Sequence, residues 1–492
     1  MIALITILAM IAAACSSDDS NAVLPPVEAE PDAVVNEEAA DTTTTAPPTT
    51  TPTTTTIGPT TTTRPDLSGT TIQVAVVDHP TMDLIQSLTE EFFTEPTGIT
   101  VEFINLGEPV TLREFVVFDL VGDDPEDEDV FMIGPFESAP FGANGWLSDL
   151  TALASEDAGF DIDNFIPSLL DANGGNDGLF ALPFYAESSI IMFNKELMDA
   201  AGIDFPQTPT WQEVADIARQ LHSDDTTGIC MRGISEWDEL GAALTTVVNT
   251  FGGTWWDANE DGTPSEARIN QSDSGFRTAT EFYLELARDA GPANFTETGF
   301  DQCLEQFQNG NVAIWYDATA AAPLLEAADS PITGNVGYSR APIAQTGASG
   351  ALWTWGFAVG AVTREPDASW EFIRWATSPG TIRLMAEHAP GGWNDPAVIG
   401  AATRTSHFEL PEFQEATEPY GGIVFDELNA ADPDDPGTTP RPGLPGVQFV
   451  GIPEFQQVAT DCSAEFATAV EGWITIDEAL DNCQAIAESL YE

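Results

Sequence analysis

Basic residues are scarce in this chain. Its 492 residues hold 14 Lys and Arg against 80 Asp and Glu, a formal net charge of -66, and Lys195 is the sole lysine. A surface of that sign repels phosphate backbones and anionic headgroups, which removes nucleic acid as a partner. Histidine is down to four, His79, His222, His388 and His407, scattered along the chain, so a His-centred triad has no support. No Gly-Lys-Ser/Thr phosphate loop, GxSxG elbow or HExxH occurs. Cysteine stands at five with no CxxC spacing, so no zinc site is expected, nor any other metal or cofactor. Long apolar runs are rare too. The N-terminal one, Ile2–Ala14, is interrupted by Thr6 and is too short to span a bilayer.

What is present is the apolar fraction of a folded protein, 42%, so the acidity is not that of a disordered chain. A body that repels itself so strongly suits salty water, where its charges are screened. Folding stability is therefore expected to rise with ionic strength. Denaturant titrations at low and high salt check this, and a maximum at the lowest ionic strength would refute it.

The N-terminal run ends in Ala12-Ala13-Ala14-Cys15 and reads as the apolar core of a signal peptide over residues 1–14. It resembles a bacterial lipoprotein signal, in which Cys15 becomes the lipidated first residue. No Lys or Arg precedes the run, and Ala12 stands where Leu is usual. Cysteine parity points the same way, because an exported chain with an odd count leaves one to be explained, and Cys15 is that one. The other four, Cys230, Cys303, Cys462 and Cys483, can pair in three ways; Cys230–Cys303 with Cys462–Cys483 is favoured, the second being local. Residues 15–69 form an acidic stretch and then, from Thr42 to Pro65, a spacer almost wholly of Thr and Pro that cannot bury a core. Anchor and stalk together would hold a folded monomer outside the cytoplasm, on the outer face of the plasma membrane or in the periplasm.

Order is expected from residue 70. Thr71 to Val77 and Thr100 to Leu106 have strand composition, with Leu84, Ile85, Leu88 and Phe92 at helical spacing between them. Strand, helix, strand is the α/β pattern of a mainly parallel sheet. Thr210-Trp211-Gln212-Glu213 is a capping box. The stretch Phe180 to Gly202 organises the rest. A run broken by Pro183 leads to Glu187 beside Tyr185, then to Ile190–Phe193 and a helix capped by Asn194 and stopped by Gly202. It reads as a crossing between lobes with Glu187 facing the gap; an edge strand with a solvated Glu is the competing reading. Val312 to Tyr316, ending in Asp317, reads as a second crossing, and Ala351 to Val362 as a third.

Aromatics stand beside polar groups near these crossings: Tyr185 with Glu187, Trp237 with Glu239, Trp315 with Asp317, Trp353 with Trp355. Sugars and polyols need this mixture, because hydroxyls demand paired donors and acceptors while CH faces lie on rings. Any single Trp is more often core. Glu187 and Asp317 could instead be the acid and nucleophile of a secreted glycoside hydrolase. Asp257-Ala-Asn259-Glu-Asp261-Gly262 mimics a calcium loop, but Arg268 stands where its bidentate Glu belongs, so a hairpin turn is favoured.

The motifs ALPFYAESS (181–189), RGxxxWxE (232–239), VNTFGGxWWD (248–257), IWYDAT (314–319), WEFIRWATS (370–378) and GVQFVGIPEFQ (446–456) resemble the extracellular solute-binding proteins of sugar ABC transporters, most closely the sorbitol/mannitol polyol-binding branch. IGPFESAPFGANGWL (133–147) and TRTS (403–406) resemble the same branch. The resemblance spans about Thr71 to Glu488. It implies an α/β, two-lobed periplasmic-binding-protein-like fold of type II, with the ligand cleft between lobes joined by hinge crossings. The expected bounds are 70–186 for the first part of lobe 1, 187–315 for the first part of lobe 2, 316–352 for the second part of lobe 1, and 353–492 for the second part of lobe 2 with the C-terminal helices. It implies a binding protein rather than an enzyme, delivering a sugar or polyol to ABC permease subunits. Carried residue by residue, it places Glu137, Glu187, Arg232, Trp237, Glu239, Asp317, Trp353, Trp355 and Arg404 at ligand-binding positions, with Asp78 and His79 where relatives carry an Asn pair. Leu240 and Thr254 replace the usual Asn and Arg, which leaves the particular sugar or polyol open.

Overall fold

The computed structural model describes residues 66–107, 128–157, 159–175, 178–259, 263–345, 347, 350–437, 446–452 and 454–491. The signal segment, Cys15 and the stalk up to residue 65 lie outside the described residues. So do residues 260–262 of the calcium-loop mimic, whose flanks Trp256–Ala258 and Pro264–Ala267 pair antiparallel as a hairpin.

Among the described residues, nine strands make the two larger sheets, beside two short two-stranded ribbons. The first holds β1 (Thr71–Val76), β2 (Thr100–Asn105), β3 (Glu128–Ile133), β4 (Ala181–Glu187) and, far along the chain, β9 (Trp353–Val359), in the order β2-β1-β3-β9-β4. The second holds β5 (Ser189–Asn194), β6 (Thr227–Cys230), β7 (Val312–Ala318) and β8 (Val336–Arg340), in the order β8-β5-β7-β6. β1 runs parallel to β2 and β3, whereas β9 runs antiparallel to both β3 and β4.

Strands β4, β5 and β7 are covered on both faces and read as near-continuous apolar runs, whereas β2, at an edge, has no fully buried residue. In β5 the alternation decides which core each side chain enters: Ile191 joins the cluster of Trp211, Phe276 and Phe455, while Ile190 and Met192 join that of Trp315, Leu169 and Tyr420. The first lobe has its own core, from Ile72, Val74, Phe131 and Phe357 to Trp370 and Phe372.

The helices used below are α1 (Pro80–Thr89), α2 (Pro135–Ala143), α3 (Trp211–Leu221), α4 (Ala242–Thr250), α5 (Pro396–Gly400), α6 (Gly421–Ala430), α7 (Phe455–Val470) and α8 (Ile476–Glu488). α3 starts at the capping box: Glu213 N donates to Thr210 Oγ1 at 3.2 Å, and Thr210 N to Glu213 Oε2 at 2.8 Å. The helix Lys195–Ala201 is capped by Asn194 and ends on Gly202 at φ 68°, a conformation that costs glycine little. Disulfides join Cys230 to Cys303 and Cys462 to Cys483.

Pro183 does not end its strand. β4 is the edge of the first sheet, where a missing N–H is tolerated, and the register with β9 shifts at that point, with Tyr185 opposite Trp355 and Pro183 opposite Gly356.

The two sheets are joined through Ser188, the one residue between β4 and β5, and through Gly350–Leu352, between β8 and β9. These crossings are laced together. Ser188 Oγ donates to Ala351 O at 2.7 Å, and Ala351 N donates to Ser189 Oγ at 3.0 Å. The expected lobe bounds need correcting here. Residues 316–352 are expected in lobe 1, yet β8 pairs with β5 in the second sheet. Residues from 353 are expected in lobe 2, yet β9 pairs with β3 and β4 in the first. Asp317 therefore lies inside β7, one residue from its end, within lobe 2, and is not a crossing. The chain returns to the second sheet later, where α6 contributes Val424 and Leu428 to the core under β5.

Candidate functional site

A cleft of about 340 Å³ opens where the crossings meet. Its walls come from both lobes: Glu137, Glu187, Trp353 and Trp355 from the first; Arg232, Trp237, Asp238, Thr246, Tyr316 and Asp317 from the second; and Gln448 and Gln456 from the C-terminal part.

Asp317 holds Arg232 in place. Its Oδ1 accepts from Arg232 Nη2 at 2.7 Å and from Arg232 Nε at 3.0 Å, and its Oδ2 accepts from Trp315 Nε1 at 3.1 Å. Ala318 N adds a donor at 2.6 Å. Buried carboxylates need such satisfaction, and Asp317 is 4% exposed. Arg232 also donates from Nη1 to Asp238 O at 3.0 Å, and Glu239 Oε2 lies 3.5 Å from the same nitrogen. Tyr283 fixes the backbone beneath, donating to Arg232 O at 2.8 Å. Burial works against the guanidinium charge, but the charge and hydrogen bonds of Asp317, with Glu239 and Glu187, outweigh it and raise the pKa. Arg232 stays cationic and oriented, with part of its fork turned to the cleft.

Glu187 ends β4, opposite Trp353 in β9. Burial raises its pKa; the Tyr185 hydroxyl, donating to Oε2 at 2.8 Å, and Arg232 pull the other way, while Asp317 pushes up. Glu187 is thus a partly buried carboxylate facing the gap, on what is also an edge strand. Glu137 caps its own helix, α2, by accepting from Gly134 N at 3.1 Å.

The rings form one wall. Trp353 meets Trp355 edge-on at 5.3 Å, Trp237 at 6.0 Å and Phe449 at 6.2 Å, and Phe136 reaches Trp237 at 5.9 Å. Phe136 and Trp353 belong to the first lobe and Trp237 and Phe449 to the second, so the aromatic wall spans the cleft.

Four of the expected residues do not line it. Glu239 stands behind Arg232. Asp78 is exposed and accepts from Asn105 Nδ2 at 2.6 Å. His79 caps α1, accepting from Thr81 N at 3.3 Å, and burial lowers its pKa to about 4. Arg404 is fully buried, its guanidinium 3.7 Å from the centre of the Phe165 ring and 4.8 Å from that of Phe160, donating to the carbonyls of Thr377 and Asp161. It ties loops of the first lobe together instead of meeting ligand. The replacements Leu240 and Thr254 are buried and off the cleft as well. Trp255 and Trp256 are core, at 1% exposure each.

Sequence reasoning missed Ser188, Ser189, Asp238, Thr246, Tyr316, Gln448 and Gln456. The two glutamines lie within the GVQFVGIPEFQ motif, whose polar positions were the available signal. Thr246 has no such marker, because its helix, α4, is buried over most of its surface.

Burial pushes the Glu239 pKa up to about 7, Arg232 partly opposing it and Asp317 adding to it. A carboxyl raised in the folded state stabilises below its unfolded pKa near 4.5, and that contribution is lost as pH rises through about 7. The unliganded protein is therefore expected to be more stable at pH 5 than at pH 8, and Glu239→Gln to flatten that slope. Denaturant titrations of both proteins at the two pH values check this; an identical slope in the variant would remove Glu239 as its source.

Two sheets, laced crossings and a cleft walled from both sides define a two-lobed ligand-binding protein. Residues 78–382, more than half of the chain, match the family model described as bacterial extracellular solute-binding protein, and the chain belongs to that family. It is 32% identical over 419 residues to a mannitol-binding protein of Pseudomonas aeruginosa, covering 84% of this chain and 91% of the relative. It is 27% identical over 340 residues to an erythritol/L-threitol-binding protein of Mycolicibacterium smegmatis, covering 65% and 69%. Among solved structures, an ABC transporter solute-binding protein of Agrobacterium vitis S4 with bound D-mannitol matches at a TM-score of 0.72 and 33% identity, covering 85% of this chain and 98% of that one. The chain is accordingly a binding protein, not an enzyme. The glycoside hydrolase reading has no support: Asp317 has its lone pairs committed to Arg232, Trp315 and Ala318, which leaves no free nucleophile.

Proposed function

We propose that this protein captures a neutral, hydroxyl-rich small molecule, a sugar alcohol in the first instance, and presents it to the permease of an ABC importer. The observation that carries this is the pairing of a fixed guanidinium (Arg232) and an ionisable carboxylate (Glu187) under a wall of Trp237, Trp353 and Trp355. Donor and acceptor suit vicinal hydroxyls, and the rings suit CH faces. Four carboxylates against one guanidinium, namely Glu137, Glu187, Asp238 and Asp317 against Arg232, disfavour phosphorylated or acidic sugars. The mannitol-binding relatives support the same ligand class. Asp317 acts by holding Arg232, and Gln448 and Gln456 supply further polar groups on the cleft wall.

Binding would draw the lobes together about the laced crossings at Ser188 and Ala351, and the permease would read the closed form. Lipidation at Cys15, with residues 15–69 as a tether, would keep a monomeric binding body next to its permease outside the cytoplasm. Detergent partitioning and mass spectrometry of the native protein test the anchor: a soluble, unacylated N-terminus would remove it.

A thermal-shift screen of polyols and sugars tests the ligand class. A ligand at a hundred times its dissociation constant adds about 2.7 kcal/mol of stability. D-Mannitol, ribitol, erythritol and the common monosaccharides and disaccharides form the panel. The expected result is a rise in Tm with at least one polyol, recovered unaltered; no response from any polyol or sugar would sink the reading.

A further inference from the structure

We propose that Tyr185, which does not line the cleft, is the positioning residue for Glu187, and that the glycine at position 400 is there to seat its ring. The inference rests on the reading of the cleft as a polyol site and goes beyond it by naming what holds the acceptor in place.

Tyr185 and Glu187 are two residues apart in β4, so their side chains share a face of the sheet. Their neighbours across the ladder are Trp355 and Trp353. The Tyr185 hydroxyl donates to Glu187 Oε2 at 2.8 Å. The ring is gripped from two further sides. His79 meets it edge-on at 4.4 Å and 74°. On another side, a Cβ at Gly400 would lie 2.3 Å from Tyr185 Cε2 and 2.6 Å from Cδ2. Gly400 ends α5 with a backbone conformation open to any residue, so torsion does not call for glycine there. Room does: real Cβ atoms do not approach so near, and the ring would have to move.

The chemistry follows from this seat. Burial first, then the charge of Glu187 and the hydrogen bond to it, raise the phenol pKa well above 10. The phenol therefore donates at every working pH. It occupies Oε2 and leaves Oε1 to accept from ligand hydroxyls. The hydrogen bond also favours ionised Glu187, against burial and the nearby Asp317 and in concert with Arg232. The other charged groups around the cleft are Glu137 on α2 and Asp238 and Glu239 beside Arg232; His79, behind the tyrosine ring, is neutral above about pH 4.

The test is calorimetric titration of D-mannitol, or of the screen's best polyol should D-mannitol fail, into wild type, Tyr185→Phe, Gly400→Ala and the double variant from pH 5 to 8. Tyr185→Phe keeps the ring and is expected to weaken binding about tenfold or more at pH 7, the loss of one hydrogen bond to a charged acceptor. Its loss of affinity toward acid should set in at higher pH than in wild type, because Glu187 without its donor protonates more readily. Gly400→Ala touches neither ligand nor Glu187 and should move both readings in the same direction. In the double variant the two losses should fall short of their sum, since both act through one hydroxyl. A Tyr185→Phe protein that binds as wild type with an unshifted pH profile overturns the proposal and leaves the polyol reading intact. Additive losses would reduce Gly400 to general packing and overturn its assigned part. A wild type that binds no polyol overturns the functional reading itself, and the proposal with it. Should Gly400→Ala fail to fold, Tyr185→Phe with its pH profile still decides.

Discussion

Replacing Asp317 with Ala is expected to cost about 3–5 kcal/mol of unfolding free energy and to abolish measurable polyol binding. The size of the effect comes from what is left behind. Asp317 is the counter-ion of Arg232, and the guanidinium sits with 20% of its side chain accessible, against 1% for the carboxylate. Without its partner that charge keeps Asp238 O and a distant Glu239, while Trp315 Nε1 and Ala318 N lose their acceptor in the core. Asp317→Asn keeps the shape and one acceptor, so it should lose less stability but still misplace the fork. Urea titration and calorimetry on the pair of variants check the ranking. Stability within about 1 kcal/mol of wild type in Asp317→Ala, with binding preserved, would mean that Arg232 is not held as described.

The second large effect is loss of the Cys230–Cys303 disulfide. It closes a separation of 73 residues, against 21 for Cys462–Cys483. On the chain-entropy account these constrain the unfolded state by about 4 and about 3 kcal/mol. Position separates them further. Cys230 is paired in register with Trp315, whose indole holds Asp317, and Arg232 follows two residues later. Cys462 and Cys483 join α7 to α8. The paired serine variant at 230 and 303 should therefore lose more stability and also lose affinity, whereas the variant at 462 and 483 should lose stability alone. Thermal melts and titrations on the two double variants distinguish them; equal losses of affinity would separate the binding cleft from the first disulfide.

Much of the cleft was legible because its residues are chemically out of place. Glu187 stands between apolar runs, Arg232 is one of 14 basic residues in an acidic chain, and Asp317 follows a strand of VAIWY. Groups so placed must be satisfied, and they are, Arg232 by Asp317 within the second lobe and Glu187 by Tyr185 within the first. Arg404 is different. Only the resemblance of TRTS (403–406) points to it as a ligand group, yet it is met by two phenylalanine faces and by Asp161 O, 243 residues away in the chain. Nothing local to Arg404 announces those partners.

Lobe membership was misread for a related reason. A strand covered on both faces carries an apolar run whichever sheet it joins, so VGYSR and WTWGFAV hold no mark of their neighbours. Register is set by pairing across hundreds of residues, and β9 crosses back to the first sheet because it fits between β3 and β4.

Local sequence by itself determined the capping box that starts α3, the Asn194 and Gly202 stops, and the acidic character of the chain. Each follows from torsional preference, hydrogen-bond capacity or charge within a few residues. Tertiary structure alone decided which lobe owns β8 and β9, that Arg404 is a strut, that Gln448 and Gln456 reach the cleft, and that the space beside Gly400 belongs to Tyr185. Those are outcomes of packing between distant segments, where the available volume and the nearest unpaired group settle the matter.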